Sequence, residues 1–195
     1  SKTSFLDACS NQKVSHTQNT QKNPVLKKSF RKKKIQKKRI FSQQYKKRNI
    51  MPGEISYPKL DIDFLHPLKE ETFWVSSPYG LRFNKKKKKY EMHHGTDFAA
   101  IYGTPVYAFA DGMIIETSFR KNGFGKSIVI FHGQGISTRY AHLSRILVSY
   151  KQKIRKADLI GLVGATGNTR GKKSGSHLHF ELMINKKRYN PLFYI

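Results

Sequence analysis

The sequence predicts an all-β domain behind a long basic N-terminal segment. Three observations carry this. From about Leu60 onward, short apolar runs alternate with turn-forming residues. No stretch after residue 60 sustains a helical repeat, and the composition changes abruptly at Pro52-Gly53. The runs are Phe73-Trp74-Val75, Val106 to Phe109, Met113-Ile114-Ile115, Ile128 to Phe131, Leu159 to Val163 and Leu178 to Ile184. Most are rich in Val, Ile, Phe or Tyr, with Gly, Asn, Asp or Lys close to their ends. Strands so spaced and so punctuated form an all-β sandwich or barrel. Residues 54–195 are long enough to bury one sizeable core.

The segment before them reads differently. The chain of 195 residues carries 38 Lys and Arg against 12 acids, a formal net charge of +26. Residues 1–53 hold 15 of the basic residues and one acid, Asp7. Their main apolar residues, Leu26, Phe30, Ile35, Ile40 and Tyr45, recur every four or five positions. That spacing serves neither a helix nor a strand. Few apolar groups and high charge leave nothing to offset the entropy of ordering, so 1–53 is expected to be largely disordered. The chain starts on Ser1 with no apolar signal core, which is compatible with prior removal of a leader. Leu6-Asp7-Ala8-Cys9-Ser10 has a faint likeness to a lipoprotein cleavage site, but its Asp and the missing apolar run argue against one. No run of 18 apolar residues exists to span a membrane as a helix. A single cysteine excludes an internal disulfide framework and a multi-cysteine zinc site.

Eight histidines remain, and their spacing is informative. In His177-Leu178-His179-Phe180-Glu181, strand alternation puts both histidines on one face and Leu178 and Phe180 on the other. Two imidazoles on one rigid strand can both bind a metal, or one can bind while the other handles a proton. A second cluster is His93-His94-Gly95-Thr96-Asp97. A catalytic zinc site takes three protein ligands and keeps one position open. One His and one Asp from this cluster with one His from the strand would complete such a set. Tyr140-Ala141-His142-Leu143 alone suggests no more than a hydrogen-bonded histidine. His16, His66 and His132 have no partner at a useful spacing.

Taken together, these motifs resemble the lysostaphin/LytM-type zinc metallopeptidases, which cut peptides of bacterial peptidoglycan. The family pattern is H-x-G-x-D, then a histidine in Y-A-H-L, then H-L-H-F-E, in that order. Ser77-Pro78-Tyr79-Gly80-Leu81-Arg82, Gly103-Thr104-Pro105-Val106, Gly161-Leu162-Val163-Gly164 and Thr166-Gly167 extend the match, which covers roughly residues 60–195. The resemblance implies a compact antiparallel β-sheet, sandwich-like peptidase domain with a groove. It implies His93, Asp97 and His179 as ligands of one Zn2+, and His142 and His177 as catalytic histidines. His94 falls at a variable position. Glu181 lies on the same face as His179, where it serves either as an acceptor for that histidine or as a surface carboxylate. The division of roles between His142 and His177 stays open.

The match has departures. The loop Asn168 to Ser176 is longer than the family's usual link and should border the groove. Lys151 and Ala157 stand where turns call for glycine. Lys85 to Lys89 form a basic loop just before His93, expected to be solvated and, secondarily, to attract an anionic polymer.

The function implied is a zinc-dependent endopeptidase acting on peptidoglycan cross-links or stem peptides in the bacterial cell envelope, periplasmic or extracellular. The alternative is a non-catalytic activator of other wall hydrolases; such family members have lost metal ligands, whereas all five positions are filled here. The basic segment suits anionic wall polymers or a membrane surface. Its few aromatics, Phe30, Phe41 and Tyr45, and the lack of any recognised nucleic-acid module argue against nucleic acid as partner.

Overall fold

The computed structural model describes residues 57–84, 88–169 and 175–195. The expectations placed on residues 1–53, on Lys85 to Lys87 and on the middle of the Asn168 to Ser176 loop lie outside them. Residues Lys59–Ile195 make one compact unit. Among the described residues there is no α-helix, and so none long and apolar enough to cross a membrane.

Thirteen strands are described, and every pairing between them is antiparallel. The large sheet runs in the order β1 (Phe73–Ser77), β4 (Thr96–Ala100), β12 (His177–Ile184), β8 (Ile136–Leu143), β7 (Lys126–Gly133), β6 (Gly112–Phe119) and β10 (Lys153–Ile154). β13 (Lys187–Tyr189) pairs with the far end of β12. A three-stranded sheet holds β5 (Pro105–Tyr107), β11 (Leu159–Leu162) and β9 (Arg145–Ile146). The hairpin β2 (Gly80–Asn84) and β3 (Lys89–His93) stands apart. The all-β, antiparallel, sandwich-like expectation holds.

Alternation decides which face does what. Ile128 and Ile130 of β7, Tyr140 of β8, and Leu178, Phe180 and Leu182 of β12 are fully buried on the inner face. Val106 and Ile160 of the smaller sheet, with Phe109, Leu143 and Val163, join them in one core. Burying a side chain of this size stabilises by roughly 1.5–3 kcal/mol. The Tyr140 hydroxyl inside this core accepts from Phe109 N at 2.9 Å and from Thr138 Oγ1 at 3.1 Å, so its burial leaves no orphan. Burial pushes its pKa well up. The odd residues of β12, His177, His179 and Glu181, are left for the outer face.

The two turn positions expected to prefer glycine adopt left-handed backbone. Lys151 has φ +66° and Ala157 has φ +69°. That conformation costs an L-residue roughly 1–2 kcal/mol, of which glycine would give back about 0.5–1 kcal/mol in unfolded-state entropy. Ala157 is exposed, so nothing else changes there. Ala157→Gly is therefore expected to stabilise the protein by roughly 0.5–1 kcal/mol. Thermal unfolding checks this; a lower melting temperature would show that the turn is not strained.

Candidate active site

The site is built by strand register. Asp97 of β4 lies directly opposite His179 of β12, and Ala99 opposite His177. His93 closes β3 just before the chain turns through His94 and Gly95 into β4. Gly95 makes that turn possible. A Cβ there would lie 2.7 Å from His179 Cε1 and 2.6 Å from the Phe180 carbonyl oxygen. The glycine of the His-x-Gly-x-Asp motif thus leaves room for the second histidine's ring.

Three donor atoms converge. His179 Nδ1 is 2.7 Å and His93 Nε2 is 3.1 Å from Asp97 Oδ1, and the two nitrogens are 3.2 Å apart. All three residues are buried, and they form a cluster able to hold a metal ion. Nitrogen and oxygen ligands at roughly 2.0–2.1 Å from a tetrahedral zinc ion stand about 3.3 Å apart, so this set needs to open only slightly. The other ring nitrogens fit the same purpose. His93 Nδ1 donates to Pro78 O at 2.8 Å, which leaves Nε2 with its lone pair inward. His179 Nε2 faces Glu181 Oε1 at 3.4 Å, which leaves Nδ1 inward. Two neutral imidazoles and one carboxylate are a donor set that suits a divalent transition metal.

The remaining two histidines stand beside this cluster. The rings of His142 and His177 are 4.7 Å apart, and His177 Nε2 is 3.9 Å from Asp97 Oδ1. His177 Nδ1 donates to Gly175 O at 2.9 Å, and His142 Nδ1 to Thr166 O at 2.8 Å. Each ring is thereby fixed with Nε2 free. His142 reaches the site through an irregularity of β8. Lys126 pairs with Leu143 but Ile128 with Tyr140, so Ala141 and His142 together oppose Ser127. His142 itself is left-handed, φ +62°. Simple alternation from Thr138 and Tyr140 would send His142 into the core; the bulge sends Leu143 there instead. Bulges next to functional sites re-aim side chains in this way.

The electrostatics follow from burial and pairing. Burial alone would raise the Asp97 pKa, but hydrogen bonds from His179 and His93 hold it well below the usual carboxylate range. Burial disfavours charge on His179, yet Asp97 and Glu181 outweigh it and move its pKa up. Burial also opposes ionisation of Glu181, and His179, Arg188 and Arg139 overcome it and bring its pKa down. Glu181 is 1% exposed, so it is the acceptor for His179 and not a surface carboxylate. Burial first, and His177 second, lower the His142 pKa to about 4.

An open cleft of about 970 Å3 passes over these residues. Trp74, Phe83, Ile101 and Tyr102 stand exposed on its walls, and Asn168, Thr169, Gly175 and Ser176 border it. The groove and the bordering position of the long loop's described ends are as expected. His94 is exposed and outside the cluster. His66 stacks on Phe73 and bonds to Leu68, and His132 bonds to Asp111 O and Thr138, so both are structural. Motif reading missed the groups that aim the imidazoles: the carbonyls of Pro78, Thr166 and Gly175. It also missed Arg82, 3.5 Å from Asp97 Oδ2, and Arg139 behind Glu181. Backbone acceptors leave no trace in a motif.

Comparison with known proteins decides the family. The model described as Peptidase family M23 matches residues 91–191, a span that contains all five site positions. The chain belongs to peptidase family M23. DD-carboxypeptidase/endopeptidase Mpg of Neisseria meningitidis is 41% identical over 118 residues, 60% of this chain and 26% of that protein. Peptidoglycan DD-endopeptidase ShyA of Vibrio cholerae is 41% identical over 112 residues, 57% of this chain and 25% of that protein. The crystal structure of a zinc-containing peptidase from Vibrio cholerae superposes with a TM-score of 0.61 at 31% identity, covering 66% of this chain and 39% of that one. This M23 chain thus spans about a quarter of the length of the curated relatives it matches.

Two expected outcomes follow from the site. Gly95→Ala should displace the His179 ring and lower affinity for a divalent metal ion by about tenfold or more, measured by chelator competition; wild-type affinity would show that the turn can yield. The second concerns acid. His142 is held neutral down to about pH 4 in the fold, against about 6.5 when unfolded. Between those values the unfolded chain binds more protons, so this group lowers stability as pH falls from about 6.5 to about 4. Denaturant titrations of the chelated protein at pH 7 and pH 4.5 should show a smaller acid loss for His142→Gln than for wild type.

Proposed function

We propose that this M23 chain is a zinc-dependent metalloendopeptidase that hydrolyses peptide bonds in bacterial peptidoglycan, in cross-links or stem peptides. The observation that carries this reading is the convergence of five side chains on one cleft, with the donor atoms of His93, Asp97 and His179 drawn together and His142 and His177 beside them. The relatives named as peptidoglycan DD-endopeptidases supply the substrate class. That substrate puts the protein in the cell envelope, periplasmic or extracellular. Residues 54–195 are taken as the catalytic domain. The basic segment before it is assigned to anionic wall polymers or a membrane surface.

His93 through Nε2, Asp97 through Oδ1 and His179 through Nδ1 would hold one Zn2+. A zinc ion held by them would supply Lewis acidity, to polarise a scissile carbonyl and to lower the pKa of an attacking water. His142 and His177 do the rest. One accepts the water's proton on its free Nε2 as general base and delivers it to the leaving amine. The other, once it carries a proton on Nε2 as well as on Nδ1, donates as an imidazolium to the oxygen on which negative charge develops. Both rings keep their second nitrogen on a backbone carbonyl, so neither needs to turn during the reaction. The cleft's exposed aromatic walls, Trp74, Phe83 and Tyr102, offer apolar contact to a peptide.

The test combines metal analysis with digestion. Purified protein should bind one zinc per chain and release peptide fragments from peptidoglycan, with release abolished by a chelator. His179→Ala should lose metal and activity together. His142→Ala should keep the metal and lose about 10²–10⁴-fold in rate, the usual worth of a positioned acid or base. Wild-type activity in the His142 variant would remove that residue from the mechanism, and bound zinc without cleavage would favour the activator alternative.

A further inference from the structure

A row of charge runs across the outer face of the large sheet, next to the site and outside the motifs. Glu181 of β12 pairs with Arg139 of β8, Arg139 with Val129 of β7, and Val129 with Glu116 of β6. Arg139 spans this row. Its Nη1 and Nη2 donate to Glu116 Oε1 and Oε2, both at 3.3 Å. Its Nε is buried, has no hydrogen bond among the described residues and stands 3.5 Å from Glu181 Oε2. Val129, only 4% exposed, lies between the two carboxylates in the row.

Arg139 also touches the site by a second route. Its guanidinium carbon lies 4.8 Å from the centre of the Phe124 ring. That ring is tilted against the His179 ring at 5.6 Å, and the Phe124 carbonyl accepts the His142 N–H at 2.9 Å. The guanidinium therefore backs both the carboxylate and the aromatic ring that flank His179.

A buried carboxylate needs compensation. Taking a charge from water costs several kcal/mol per ion unless it is paired. Glu181 has three partners: His179 Nε2, Arg188 Nε at 3.5 Å and Arg139. Arg188 is 39% exposed, and its hold is weakened by solvent. Arg139 is 16% exposed and anchored at its far end by a fork of two hydrogen bonds, a geometry that only guanidinium offers. Without it, Glu181 would keep only the more exposed Arg188 beside His179 and would be freer to rotate away from that ring.

We propose that Arg139 is a positioning residue for the metal centre: it holds Glu181 where Glu181 fixes His179 with Nδ1 turned toward the cation. This rests on the zinc reading above. Groups that orient a metal-binding histidine are worth about 10–100-fold in metal affinity. Arg139 thus reaches the metal through one carboxylate and one imidazole, with no contact of its own.

The test is zinc affinity of the full chain by chelator competition, with thermal unfolding recorded beside it. Arg139→Met should fold cooperatively and raise the zinc Kd about 10–100-fold. Glu181→Gln should do the same, and the double variant should be no worse than Glu181→Gln alone, because both act on one ring. Arg139→Lys, which keeps the charge but not the fork, should fall between wild type and Arg139→Met. Wild-type affinity in Arg139→Met overturns the proposal, and so do losses that simply multiply in the double variant, since a general structural role would act regardless of Glu181. If Arg139→Met fails to fold, Glu116→Gln and Arg139→Lys serve instead; unchanged affinity in both is the overturning result. Failure of the wild-type chain to bind zinc would overturn the metal reading and this inference with it.

Discussion

The register of β4 against β12 is the constraint on which the rest depends. It sets Asp97 opposite His179 and Phe98 opposite Leu178 in the same stroke. A slip of one residue would send every side chain of the strand to the other face. Phe98, Leu178 and Phe180 are fully buried, and exposing them would cost several kcal/mol. The polar cluster alone could not enforce its own geometry at that price. The apolar face of the sheet therefore determines where the polar face puts its donors, and one pairing specifies both core and site.

The polar side adds direction to that placement. Each of the four site histidines gives one ring nitrogen to a fixed acceptor: a carbonyl for His93, His142 and His177, a carboxylate for His179. Thr166 helps hold the His142 side in place. Its hydroxyl donates to Leu143 O and accepts from Lys126 N, so the carbonyl that receives the His142 ring sits on a braced residue. Gly125 and Gly167 let the two loops approach, since a Cβ on either would collide with the opposing backbone. Preorganised rings lose little freedom when a ligand or a proton arrives, and this is what a site of fixed function needs.

The parts legible in the sequence are those with a short period. Alternation in His177-Leu178-His179-Phe180-Glu181 gave both the buried pair and the outer triad, and the turn residues marked most strand ends. Lys151 and Ala157 were legible as strained because turn chemistry is local. β4 and β8 were not read as strands: Thr-Asp-Phe-Ala-Ala and Ile-Ser-Thr-Arg-Tyr-Ala-His-Leu are too polar to stand out, and their neighbours in the sheet supply the burial. His142 needed a bulge that no pattern announces. Spacing left Glu181 undecided because its fate rests on Arg139 and Arg188, which only strand pairing brings beside it. Arg139 itself reads as one more cation in a basic chain until Glu116, two strands away, is in view.

The strain at His142 also bears on the choice between catalysis and a docking role. A left-handed histidine costs roughly 1–2 kcal/mol, and a surface that merely engages a partner gains nothing from it. Nor does docking call for a buried Asp97 shared by two imidazoles, or for a carboxylate and guanidinium hidden behind them. A fold that keeps these features offsets their cost with its core. Strain held beside a set of convergent donors is what a reacting site demands, because the position of Nε2 must be right before substrate arrives. His142 is left-handed inside a strand and shares one cluster with the buried Glu181, whereas Gln134, Lys151, Ala157, Asn185 and Lys186 take that conformation in turns. That concentration of cost at the floor of the cleft favours the peptidase reading over the activator.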